Sequence, residues 1–197
     1  MKKVGLIVLI TMTLSSCYKS FYVVDGKYQL TEMTSNYDKI ESGQVSNGVY
    51  RDNLITIFTS VNGSNISLLI ENNHHSSIRV LWDGAAFIDI SGTAHRVVHS
   101  GVHWEDKSNQ QVPSVIPSAS NIKEMISPVD WIALPFGNKR FSVAENANKL
   151  LKQYSLNPQL TTVKLLLPIE VDDKTIEYTL VYVGTDFKVE QIQVQEF

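Results

Sequence analysis

One cysteine, Cys17, serves a chain of 197 residues. An internal disulfide is therefore excluded, and the fold has to stand on packing rather than on covalent staples. The short signatures of familiar chemistry are also missing. There is no G-x-S-x-G nucleophile elbow, no glycine-rich phosphate loop ahead of a lysine and no H-E-x-x-H zinc motif. Serines and acids are plentiful but scattered, so no catalytic triad is legible and no cofactor is implied. Basic runs are absent as well, with 17 Lys and Arg facing 20 Asp and Glu. Nucleic acid and anionic lipid headgroups both call for clustered positive charge, so neither is an expected partner. No apolar run approaches the roughly 20 residues that a membrane-spanning helix needs.

What the chain does have begins at its start, MKKVGLIVLITMTLSSCYKS. Lys2 and Lys3 precede a mainly apolar stretch from Val4 to Leu14, and the small residues Ser15 and Ser16 lead into Cys17. This is the basic, apolar, small-residue order of a secretory signal. Leu14-Ser15-Ser16-Cys17 resembles the lipobox of bacterial lipoproteins. The resemblance implies cleavage before Cys17, a diacylglyceryl group on its thiol and, usually, acylation of the new amino terminus. In enterobacterial lipoproteins an Asp after the cysteine favours the inner membrane. Tyr18 stands there instead, so the resemblance implies the outer membrane of a Gram-negative envelope. An ordinary cleaved signal with an incidental cysteine is the alternative.

Loss of residues 1–16 takes Lys2 and Lys3 with it and leaves 181 residues, enough for one domain with a sizeable core. Residues 17–48 read as lipid anchor and tether, because TEMTSNYDKIESGQVSNG is polar and weakly periodic. Fully extended, such a tether would reach up to about 100 Å. The ordered body is expected over 49–197. Two β-rich runs flank Asn62-Gly63, SIRVLWD alternates, NIKEMI favours a strand, and VKLLLPIEV and IEYTLVYVG flank a turn at Asp172-Asp173-Lys174. Pro168 marks an edge or a bulge. Ser142 with Glu145 matches a capping box and predicts an amphipathic helix over 142–154. Short strands with recurring turns predict a mainly β fold, an antiparallel β-sandwich of Ig-like architecture with that one helix.

The residues richest in chemistry lie in AHRVVHSGVHWED. His99, His103, Glu105 and Asp106 form a candidate metal set if Gly101 folds the chain back. Along an extended strand, residues four apart lie about 13 Å from each other, too far for one zinc ion. His74-His75, in a polar turn between two strands, is a weaker candidate, because adjacent residues on a strand point to opposite faces and would need help to chelate together. Trp82 is expected in the core, while Trp104 and Trp131 sit near polar loops and are candidate stacking platforms for a glycan. The expected function is a noncatalytic, membrane-anchored envelope protein that binds or positions a protein partner. The alternatives are a metal-binding protein or metal-dependent enzyme using His99 and His103, and a glycan- or peptidoglycan-binding module.

Overall fold

The computed structural model describes residues 18–37, 44–62, 65–131 and 162–195. In chain order its strands are β1 (Tyr18–Ser35), β2 (Gln44–Ser46), β3 (Val49–Arg51), β4 (Ile55–Asn62), β5 (Asn65–Asn72), β6 (Ile78–Val80), β7 (Ala86–Ile88), β8 (Ala94–His99), β9 (Ser114–Ile116), β10 (Asn121–Pro128), β11 (Thr162–Val171) and β12 (Lys174–Gln195). Short 3₁₀ turns occur at Trp82–Gly84, Trp104–Asp106 and Val129–Trp131.

Eight strands close into an antiparallel barrel in the order β1-β12-β11-β7-β8-β10-β5-β4, and β4 returns to β1 through the pair Tyr28↔Val61. β3 and β2 extend the sheet past β4. β6 continues alongside β11 beyond the end of β7, and β9 pairs with β6. The expected β-sandwich is therefore corrected to a closed barrel. The reason is local. Residues 18–35, expected in a tether, form β1, the strand that joins both ends of the sheet. Without β1 the same strands have two free edges, as a sandwich does. The helix expected over 142–154 lies outside the described residues, and no α-helix occurs among the described residues.

Turn chemistry sets the registers. Asn47 and Gly48 have φ of 52° and 76°, and they close the β2–β3 hairpin under the pair Ser46↔Val49. Asp172 and Asp173, at 47° and 60°, do the same between Val171 and Lys174. Two consecutive positive φ values match the right-handed twist of the flanking strands, and Asn, Asp and Gly accept them best. β4 and β5 pair down to Asn62↔Asn65, and NIKEMI is indeed a strand, the body of β10.

Pro168 lies inside β11 but at a local edge. It pairs with Glu177 of β12 on one side. On the other side β7 pairs with residues 164–166 and β6 with 169–171, so the neighbouring strand is interrupted at Pro168. The Pro168 carbonyl accepts the Leu81 amide there at 3.0 Å. In an antiparallel strand a residue's N–H and C=O point the same way, so the amide hydrogen that proline lacks is missing on the interrupted side.

The interior is a single apolar cluster. Ile55 and Ile57 of β4, Ile66, Leu68 and Ile70 of β5, Leu165, Leu167 and Ile169 of β11, and Tyr178, Leu180 and Tyr182 of β12 are all buried in it. Each buried Ile or Leu contributes roughly 1.5–3 kcal/mol. Ser67, Asn121 and Lys123 face solvent from the same wall. Apolar inside and polar outside is the reverse of a membrane-spanning barrel.

Beyond the barrel, β1 and β12 run on together. Eight residue pairs, Tyr18↔Gln195 to Asp25↔Lys188, form a two-stranded ribbon that no third strand joins among the described residues. At strand rise its length is about 26 Å.

Candidate functional site

β8 carries His95 and His99 into the barrel end, and the loop after it contains the other expected ligands. The His99 ring stacks on buried Trp82, with centroids 4.8 Å apart and planes at 16°. Its Nδ1 lies 3.4 Å from Glu124 Oε2. Glu124 also accepts a hydrogen bond from Ser100 Oγ and a long one, 3.5 Å, from Ser114 Oγ. Ser114 Oγ in turn accepts the Trp82 indole N–H at 2.8 Å. His99 is thus held in a network of its own.

His103, Glu105 and Asp106 go elsewhere. Gly101, at φ 93°, turns the chain after β8 but does not fold His103 back onto His99. The loop then returns at Gln111, whose buried side chain donates from Nε2 to the Val97 carbonyl and accepts the His99 amide. Arg96 pins the same loop through the carbonyls of Ser108 and Asn109 and pairs with Asp83 at 2.8 Å. The Gln111 amide holds the Asp83 carboxyl below its usual range; burial opposes this and Arg96 adds to it. This leaves His103, Glu105 and Asp106 exposed, and Asp106 Oδ1 accepts from Asn109 Nδ2. The expected set of His99, His103, Glu105 and Asp106 is not assembled, because the His99 ring points inward while the loop faces out. Trp104 and Trp131 belong to 3₁₀ turns; their side chains, like Cys17 itself, lie outside the described residues.

His95 bridges two carboxylates. Its Nε2 is 3.1 Å from Asp89 Oδ2 and its Nδ1 is 3.2 Å from Asp130 Oδ2. Burial pushes the Asp89 carboxyl up, but bonds from Ser91, His95 and the Thr93 and Ser91 amides outweigh it and hold the group below its usual range.

Among the described residues, three potential metal ligands converge at one place, His74, His75 and Asp172. Adjacency argues against the two histidines only if they lie on a strand, and they do not. They occupy the bend between β5 and β6. The polar break NNHHSS was the visible signal for that bend. Nothing local could bring in Asp172, which comes from the β11–β12 turn.

On the outer wall, β4, β5 and β10 form an open trough of about 550 Å³, with Phe58, Leu69 and Met125 among its lining and Ser60, Ser67 and Lys123 beside them. Of the large apolar side chains exposed among the described residues, Met125, at 48%, is the one that lines this trough. No family model, curated protein or solved structure matches this chain.

Proposed function

We propose that this chain is a lipid-anchored, noncatalytic protein of the bacterial cell envelope, in the outer membrane, whose barrel binds or positions a protein partner. One observation carries the proposal. β1 starts at Tyr18, the residue after the lipobox cysteine, and continues as a paired ribbon into the barrel. An acyl group on Cys17 would therefore be joined to the folded body by backbone ladder rather than by a loose tether. The long reach expected of residues 18–48 contracts to a spacer of about 26 Å. Two or more acyl chains make a stable anchor, where one alone binds marginally. The trough around Phe58, Leu69 and Met125 is the surface offered to the partner.

A photoreactive side chain placed at Met125 tests this in the intact, lipidated protein within its own cells. One near-stoichiometric envelope protein should crosslink, and Cys17→Ser should abolish the capture. An empty result would overturn the partner role.

A further inference from the structure

We propose that His74, His75 and Asp172 bind a divalent first-row transition-metal ion of the zinc type. The site does not depend on lipid anchoring or on the trough.

The ladder explains why distant residues meet. β6 pairs with β11 in the register Ile78↔Val171, so the chain just before β6 runs beside the turn that follows β11. Asp172 sits in that turn at φ 47°. The bend before β6 is itself fixed. Buried Asn72 accepts the His74 amide on Oδ1 at 2.8 Å, and its Nδ2 donates to the carbonyls of Ser76 and Ile116 at 2.9 and 3.0 Å. Ser118 Oγ donates to the His74 carbonyl at 2.7 Å. This turn removes the strand alternation that would separate the two rings, whose centroids are 4.0 Å apart.

One ligand atom from each residue lies within 4.8 Å of the others. Tetrahedral zinc with bonds near 2.1 Å needs ligand atoms about 3.4 Å apart. His74 Nε2 and Asp172 Oδ2 are already 3.8 Å apart. His75 and Asp172 are exposed, so rotation of their side chains can close the rest.

Ser76 orients two of the three residues. An ionised carboxylate only accepts, so the 2.7 Å contact of Ser76 Oγ with Asp172 Oδ1 uses the single hydroxyl hydrogen of Ser76. His74 Nδ1 lies 2.8 Å from Ser76 Oγ and 3.4 Å from the Ser76 amide nitrogen, so Ser76 fixes the orientation of the ring. The other ring nitrogen, Nε2, faces Asp172 Oδ2. A metal-binding histidine is typically oriented by a hydrogen bond at its other ring nitrogen, and Ser76 Oγ contacts His74 Nδ1 in that position. Two imidazoles and one carboxylate suit zinc and its neighbours rather than calcium or magnesium, and solvent or a partner's donor would fill the open positions.

Titration of the full-length, detergent-solubilised protein with Zn²⁺ by calorimetry tests the site. One equivalent should bind, and Co²⁺ in its place should give visible ligand-field bands. His75→Ala and Asp172→Asn should each weaken Zn²⁺ at least about tenfold, and Ser76→Ala by about tenfold through the lost support of His74. His75 is exposed, and Asn tolerates the positive φ at 172, so both variants should keep the wild-type melting temperature. Absence of saturable Zn²⁺ binding by the wild type, or full retention of it by either ligand variant, would overturn the proposal.

Discussion

The hydroxyl of Tyr178 donates to Asp52 Oδ2 at 3.0 Å, joining β12 to the β3–β4 connection across 126 residues of sequence. Tyr50 donates to the same oxygen at 2.8 Å, and Oδ1 accepts the amides of Leu54 and Ile55 at 2.8 and 2.7 Å. The two rings meet edge to face. One carboxylate thus shapes the entry to β4 and ties it to β12, the strand on the other side of β1. Asp52→Ala leaves several buried donors without an acceptor and should lower the unfolding free energy by about 3 kcal/mol. Tyr178→Phe, which removes a single bond, should cost about 1–2 kcal/mol. Urea denaturation of both variants measures this, and equal losses would contradict it.

Alkaline pH should unfold the barrel through its tyrosines. Burial pushes the Tyr28 hydroxyl up to about 12. Tyr50, Tyr178 and Tyr182 are raised further, first by burial, and for Tyr50 and Tyr178 also by the Asp52 charge and hydrogen bond. The unfolded chain loses these protons near pH 10, so above that pH the folded state holds more protons than the unfolded one. Stability contributed by these groups is complete below about pH 10 and is lost progressively above it. Tyrosinate absorbance should then rise together with loss of β structure. Absorbance that rises fully while the circular dichroism stays native would count against the buried hydroxyls.

Gly84 should not tolerate a methyl group. A Cβ built there would lie 2.9 Å from Pro168 Cγ, against the interrupted side of β11. Gly84→Ala should therefore destabilise by roughly 1–3 kcal/mol. Pro168→Ala in the same chain should return part of that loss, since the clash is with the ring. A double-mutant cycle with no coupling would place the cost elsewhere.

His99 and His103 should behave differently. His99 stacks on Trp82 inside a bonded network, so His99→Ala should cost about 1–2 kcal/mol. His103 is exposed, and His103→Ala should stay within about 0.5 kcal/mol. Neither should change Zn²⁺ affinity. Parallel effects of the two on zinc binding would revive the metal set expected from AHRVVHSGVHWED.

Much of the β structure was legible because its signals are local. Alternation and Gly or Asp turns marked β5, β10, β11 and the Asp172-Asp173 hairpin, and Trp82 is in the core as expected. Barrel closure was not legible, since it depends on one pairing, Tyr28↔Val61, made by a strand whose neighbourhood reads as polar linker. Asn47-Gly48 was the overlooked sign that residues 44–51 form a hairpin. The sites divide in the same way. His99 could be singled out by residue type, but its partner Glu124 and the Asp172 beside His74 are contacts set by sheet register, which no short window of sequence contains.

The most direct test of the central claim is the mass of the amino-terminal peptide of the protein purified from its own membranes. The account predicts a chain beginning at Cys17 with a diacylglyceryl thioether and an acylated amino group. A chain that begins elsewhere, or a free Cys17 thiol, would contradict it.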